Sequence, residues 1–329
     1  MKKVLVTGGG GFLGSYIVER LIQRGDEVTI LGRNRYPELE RLGARTFQAD
    51  IRDKAAVQKA CQGMEIVFHV AAMPDPWGEW KLFYDINYKG TQNVIEACQK
   101  HGVPKLVYTS SPSVVFDGTD MEGVDETYPY PSRHMSYYTA TKAMAEQLII
   151  SANAKGGLLT TALRPHLIFG PRDNHLFPRV IQRAKTGRLV IVGNAKNKVD
   201  VVYVENAAEA HLLAADSPKA AGQVYFITQG EPVVLWEFVA RILKGLNLPP
   251  ITKRIPYPVA YVIGLMMEVT FRLFAIQKEP MITRLVASEL AKSHYFNIDK
   301  ARKELGYEPR IGIDEGLDRT IEYFKQKFR

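Results

Sequence analysis

The chain opens on a short β-rich run, Lys3-Val4-Leu5-Val6-Thr7, followed by four consecutive glycines, Gly8 to Gly11, and then Phe12-Leu13-Gly14 at the head of an amphipathic stretch reaching about Arg24. A strand that enters a helix through glycines lets the backbone approach a pyrophosphate closely, with the unpaired N–H groups of the helix N-terminus facing the anion. The order predicts a dinucleotide site, and with it a parallel α/β sheet. The glycines fit two registers, Gly9/Gly11/Gly14 and Gly8/Gly11/Gly14, and the sequence leaves open which glycine makes which turn. Gly8, Gly11, Phe12, Leu13 and Gly14 are the expected cofactor-binding residues.

The cofactor is written at the end of the next expected strand, Glu27–Leu31, where the chain reads Gly32-Arg33-Asn34-Arg35. An NAD site usually carries Asp or Glu here for the ribose 2′-hydroxyl, whereas a 2′-phosphate needs that acid absent and a cation present. Glycine beside Arg33 and Asn34 therefore favours NADP(H) over NAD(H). Against this stands the plainer possibility that Arg33 and Arg35 are solvated loop charges.

Short apolar runs alternate with helix-length periodic segments up to about residue 165. Lys3–Thr7, Glu27–Leu31, Arg45–Ala49, Ile66–Ala72, Lys105–Ser110 and Thr160–Arg164 are the expected strands. Each parallel crossover needs a helix, so the pattern predicts a Rossmann fold: α/β, a doubly wound parallel sheet followed by a smaller, mixed α/β substrate lobe. The expected division is 1–171 for the dinucleotide domain and 172–329 for the lobe, leaving room for later segments to return to the sheet.

The formal charge of +8 over 329 residues is modest, and no Lys/Arg block is interleaved with aromatics, so nucleic acid is not an expected partner. Cys61 and Cys98 offer neither metal-ligand spacing nor a disulfide framework, which points to a reducing, cytoplasmic setting and no metal. The first strand begins too early for a signal peptide to precede it. One apolar stretch, Pro258 to Ile276, is nearly long enough to span a bilayer. Glu268 and Arg272 can pair one helical turn apart, which suits an amphipathic helix covering a pocket or lying on a membrane surface.

Tyr138 and Lys142 stand four residues apart, on one face of a helix expected from about Ser136. Upstream, Val107-Tyr108-Thr109-Ser110-Ser111 ends a strand on hydroxyls at its carboxyl end. Together with the glycine loop, this set resembles the extended short-chain dehydrogenase/reductase superfamily over nearly the full length. The resemblance implies that Tyr138 exchanges a proton with the substrate hydroxyl, that Lys142 lowers its pKa and holds the nicotinamide ribose, and that Ser111 hydrogen-bonds the substrate oxygen, with Ser110 and Ser113 as rivals. It also places Asp50 and Ile51 at the adenine, Val70, Ala71 and Ala72 beside the adenosine ribose and pyrophosphate, and Pro165, Leu167 and Ile168 around the nicotinamide. For Asp50 a helix cap is the alternative.

A narrower resemblance is to the 3β-hydroxysteroid dehydrogenase branch. Leu163 to Asp173, Lys198-Val199-Asp200, Tyr203 to Asn206 and Ile255-Pro256-Tyr257 look like sterol-4α-carboxylate 3-dehydrogenases, whereas Arg33 to Leu39 with Trp77-Gly78 is more similar to 2-alkyl-3-oxoalkanoate reductases. Both families handle an alcohol or ketone β to a carboxylate on a large apolar body. The pocket is expected to combine apolar bulk (Met73, Trp77, Trp80) with polar or cationic groups (Ser113, His166, Arg172). Each has a structural alternative: the tryptophans as core, His166 as a satisfied histidine, Arg172 as a loop brace. The leading expectation is an NADP-dependent reductase of a lipid-like β-keto acid, followed by a 3β-hydroxysteroid or sterol dehydrogenase. A sugar-nucleotide epimerase fits less well, and a non-catalytic NADP-binding regulator is the remote alternative. A homodimer and peripheral membrane contact complete the expected partners.

Overall fold

The computed structural model describes residues 1–327. Seven strands form one sheet in the spatial order Val224–Ile227, Leu159–Pro165, Lys105–Thr109, Ile66–His69, Lys3–Thr7, Glu27–Gly32, Arg45–Gln48. Every neighbouring pair is parallel. The chain winds outward from Lys3–Thr7 and then returns to its other side, so the switch in strand order falls between Lys3–Thr7 and Ile66–His69, where Thr7 lies opposite His69. Ligands bind outside the carboxyl ends of strands at such a switch.

Six of these strands lie within a residue or so of the expected ones, except that the fourth stops at His69 rather than Ala72. The seventh, Val224–Ile227, returns to the sheet from well past Pro171, and Val204–Asp216 packs with Phe12–Gln23 on one face. Alternation within the first strand shows how both faces are filled. Val4 and Val6 join the core under that helix pair, while Leu5 joins the core under Lys54–Cys61, Gly90–Lys100 and Tyr137–Ala152.

A separate core, with Phe169, Phe177, Trp236, Phe238 and Phe324 among its members, holds the remaining lobe together. A small four-stranded sheet there runs Val233–Val234, Lys198–Val199, His294–Phe296, Met121–Val124. Met121–Val124 belongs to the connection between the fifth strand and the Tyr138 helix, so this sheet ties the lobe to that end of the main sheet.

The apolar stretch forms one helix, Tyr257–Leu273, packed on Arg284–Ala291 through Ala260, Gly264 and Glu268. The approach is close enough to require glycine: a Cβ on Gly264 would stand 2.8 Å from the Arg284 nitrogen. The expected Glu268–Arg272 pair does not form. Glu268 turns inward, where it accepts from the Arg284 backbone N–H at 2.7 Å and from its guanidinium at 2.8 and 3.0 Å. No helix among the described residues is long and apolar enough to cross a membrane.

Candidate active site

Gly8 settles the register of the glycine loop. It sits at φ +69°, and a Cβ there would meet the Ala71 backbone at 2.8 Å. Gly14 is held by the same turn, since its Cβ would lie 2.2 Å from the Gly8 carbonyl oxygen. Gly11 caps the Phe12–Gln23 helix with no side chain to occupy the first turn, leaving the amides of Phe12 and Leu13 without an intramolecular acceptor among the described residues. Such a terminus is built for an anion, and a dinucleotide pyrophosphate fits it. The Leu13 side chain is buried, so only its amide is available there.

At the neighbouring strand end, Arg35 is committed to Glu40 at 2.8 Å, whereas exposed Arg33 has no side-chain partner among the described residues, and Asn34 is exposed beside it. Gly32 has a second reason to be glycine. The Tyr36 ring lies over Gly32 and Gly10, and a Cβ would come within 2.5 Å of the Tyr36 hydroxyl at the first and 1.9 Å of the ring at the second. Asp50 is not a helix cap; that role falls to Asp53, which accepts from Ala55 and Ala56. Asp50 instead pairs with Arg52 at 2.7 Å, which lowers its pKa, and neighbouring Ile51 is buried against Gly90. Val70 and Ala71 bond back to Thr7, bringing the Val70-Ala71-Ala72 turn onto the glycine loop.

A buried hydrogen-bonded line runs from this loop to the Tyr137–Ala152 helix, and the sequence reading missed it. Ala71 N–H donates to Thr7 Oγ1, so the Thr7 hydroxyl donates to His69 Nδ1 at 2.7 Å. His69 Nε2–H then donates to Thr91 Oγ1 at 2.9 Å, and Thr91 donates to the Asn87 carbonyl at 2.6 Å. These directions assign the His69 tautomer from its partners. Burial, with the Lys142 charge nearby, presses the His69 pKa down to about 3, so it is a neutral link. Asn87 occupies a π-helical turn, Tyr84–Lys89, and its amide holds the Met73 backbone and reaches Thr141 at 3.1 Å on the Tyr138 helix. A π turn inside a helix often marks a functional site and could have signalled Asn87.

Tyr137–Ala152 starts at a Ser136–Thr139 capping box, which fixes where its first turn points. The Ser111 and Ser113 hydroxyls lie near enough to Tyr138 to oppose the rise in its pKa. Ser111 Oγ and Ser113 Oγ lie 2.9 Å apart, so both hydroxyls belong to one cluster, whereas Ser110 is turned into the protein with its hydroxyl unpartnered. Lys142 is nearly fully buried, donates to the Thr109 carbonyl at 2.6 Å, and lies 4.1 Å from the centre of the Tyr108 ring. Burial lowers its pKa to about 7. The expected lowering of the Tyr138 pKa by Lys142 is not seen. Burial raises the phenol, the two serines oppose that, and Glu289 adds to it. Beneath, Arg164 and Glu146 form a buried pair at 2.6 Å that ties the helix to the sheet.

At the nicotinamide end, Pro165 closes its strand. Leu167 takes a φ of +39°, and the turn it makes lets Ile168–Phe169 pair with Val202–Tyr203. His166 is not a cation. His294 Nε2 donates to the Glu289 carbonyl at 2.9 Å, which leaves His294 Nδ1 to accept from His166 Nε2 at 2.7 Å, and burial lowers both pKa values. Arg172 is also elsewhere: it pairs with Glu19 at 2.5 Å and stacks 3.9 Å from the Tyr16 ring, bracing the glycine-loop helix. Both take their structural alternatives.

Met73 lies against Gly78, next to Trp77. Trp77 lines a narrow cleft together with Phe83, Met135, Tyr137, Glu268 and Arg272, while Trp80 is exposed and stacks on Tyr84. Arg272 is the cation the sequence reading overlooked, standing 5.1 Å from the Tyr137 ring centre and 5.5 Å from that of Trp77. Glu289 is the other omission. Glu289 is half-buried, its carboxyl has no hydrogen-bond or ion-pair partner among the described residues, and desolvation raises its pKa to about 7.

A phenol, an ammonium and hydroxyls gathered at the switch point, below a helix terminus built for pyrophosphate, define an NAD(P)-dependent oxidoreductase on a Rossmann fold. The chain belongs to the 3-beta hydroxysteroid dehydrogenase/isomerase family, whose pattern it matches over residues 5–258. It is 45% identical to the 2-alkyl-3-oxoalkanoate reductase of Shewanella oneidensis, over 95% of this chain and 84% of that one. It is 38% identical to the decarboxylating sterol-4-alpha-carboxylate 3-dehydrogenase of Mus musculus, over 98% of this chain and 91% of that one. The solved structure of MoeE5 in complex with UDP-glucose and NAD superposes with a TM-score of 0.78 at 26% identity, covering 99% of this chain and all of the other.

Proposed function

We propose that this enzyme reduces the ketone of a 2-alkyl-3-oxo acid to the secondary alcohol, with NADP(H) preferred over NAD(H). The observation that carries this reading is the 45% identity, over nearly the whole chain, to a protein of that name. The bound nicotinamide supplies the hydride. Tyr138 donates the proton to the nascent alkoxide, and Ser111, seconded by Ser113, holds that oxygen. Lys142 anchors the ribose. Arg33, in no ion pair among the described residues, reads the 2′-phosphate. Reduction preserves the carboxylate, because a β-keto acid left unreduced decarboxylates readily. Residues 1–171 with the returning strand and helix serve the dinucleotide, and the rest of the chain serves the substrate. A cytoplasmic homodimer joined through the Tyr137–Ala152 helix is the proposed assembly.

The test is NADPH oxidation by the purified enzyme with a long-chain 2-alkyl-3-oxo acid, beside a 3-ketosteroid and the reverse reaction on a 3β-hydroxysterol carboxylate. Turnover confined to the first supports the reading. Preferential oxidation of the sterol would replace it with the alternative that the 38% identical relative represents.

A further inference from the structure

Two glycines on different loops owe their lack of a side chain to one residue. Gly10 belongs to neither register of the glycine fingerprint, and Gly32 ends the strand Glu27–Gly32. Both lie outside the positive-φ region, so neither needs glycine for its backbone. They need it for space. The three nearest heavy atoms to a Cβ at either position all belong to the Tyr36 side chain, whose ring crosses both glycines and brings its hydroxyl to the Gly32 end.

The backbone is pinned on both sides of that contact. Gly32 pairs in register with Gln48, and the Gln48 side-chain amide donates to the Arg33 carbonyl at 2.9 Å. Tyr36 heads the short helix Pro37–Arg41, with Leu39 buried in that helix, and its ring packs on the same core as Val4 and Val6. The Tyr36 hydroxyl bonds to no group among the described residues, although the residue is half-buried. A phenol therefore stands where a Rossmann protein that takes NAD carries a carboxylate. Such a carboxylate accepts from the ribose 2′-hydroxyl and repels a phosphate on the same oxygen. In this chain the ring occupies the space of its stem, and the group in its place is a donor. Arg35 is drawn off to Glu40, but Arg33 is exposed and in no ion pair among the described residues. A phenol O–H beside such a guanidinium offers a phosphate one neutral and one charged donor.

We propose that Tyr36 is a specificity-determining residue for the phosphorylated dinucleotide: its ring excludes a carboxylate from the Gly32 position, and its hydroxyl donates to the 2′-phosphate alongside Arg33. The inference rests on the NADP(H) reading above and assigns part of that preference to a residue without charge. It also gives Gly10 its place in the run of four glycines, as the floor on which the ring lies.

Calorimetric titration with 2′,5′-ADP and with 5′-AMP tests this, because the two probes differ only in the 2′-phosphate and neither needs turnover. Tyr36→Phe keeps the ring, so it should keep the native melting temperature and the 5′-AMP affinity while binding 2′,5′-ADP roughly tenfold more weakly. Gly32→Asp should bind NADH and NADPH poorly, because its side chain and the ring compete for one space. Gly32→Asp/Tyr36→Ser frees that space and should bind NADH roughly tenfold more tightly than Gly32→Asp does. Equal NADH affinity in these two variants overturns the exclusion. Equal losses of both probes in Tyr36→Phe overturn the phosphate contact. An intact protein that binds 5′-AMP as tightly as 2′,5′-ADP overturns the NADP(H) reading together with this one. A native preference for 2′,5′-ADP that survives whole in Tyr36→Phe overturns this inference alone and leaves the phosphate to Arg33.

Discussion

The two ends of the active site are built on different principles. At the cofactor end, backbone meets backbone: Gly8 against Ala71, Gly14 against the Gly8 carbonyl, and a buried line of hydroxyls and one neutral histidine passing from Thr7 to Asn87. At the substrate end, the contacts are the edges and faces of side chains, Trp77 against Phe271 and Arg272, in a cleft whose far wall is a helix with its apolar stripe in water. The first arrangement tolerates almost no change of shape. The second rests on side chains that can rotate, which would suit the bulky substrate proposed above.

Tyr138 stands at the seam and should show the largest effect. Tyr138→Phe keeps the ring and removes the proton, so turnover should fall by roughly two orders of magnitude or more while NADPH affinity, measured by fluorescence titration, stays nearly constant. Comparable turnover in that variant would break the assignment. Arg33 sharpens the comparison from the cofactor side alone. Arg33→Ala should weaken NADPH roughly ten- to a hundredfold and NADH by far less, because only the former carries a 2′-phosphate. The KM for the ketone should stay as it was; equal losses for both cofactors would show that Arg33 reads something else.

The same division explains what could be read from the chain alone. Backbone-driven features announce themselves in residue type, so the glycine loop, six of the seven sheet strands and the placing of Tyr138 near Ser111 were legible. Even there an ambiguity remained, since only the positive φ of Gly8 separates the two glycine registers. Charge partners over long separations were not legible. Arg172 finds Glu19, Glu268 finds Arg284 rather than Arg272, and His166 finds His294, each pairing decided by tertiary packing that spacing does not encode. The last of these also explains why Glu289 escaped notice: it lies on a helix late in the chain, brought to the phenol only when Met121–Val124 pairs with His294–Phe296.

Glu289 gives the smallest expected effect, because it touches neither cofactor nor any hydrogen-bonding partner among the described residues. Burial raises its pKa to about 7, well above the usual carboxylate value, while the groups around it, Tyr138, His166 and His294, are neutral near that pH. A carboxyl whose folded pKa is raised helps stability fully below its unfolded value, near 4.3, and that contribution is lost as pH rises through 7. Glu289→Gln should therefore match the native unfolding free energy near pH 4 and exceed it at pH 8, by on the order of 1–3 kcal/mol, read from denaturant unfolding at the two pH values. Ionised Glu289 also opposes the Tyr138 phenolate. Removing its charge should move the ascending, acid-side limb of the alcohol-oxidation profile to lower pH, with the kcat plateau changed less than about threefold. An unfolding free energy that keeps the native pH dependence in Glu289→Gln would show that this carboxyl is solvated, and that the substrate end is looser than the geometry described above.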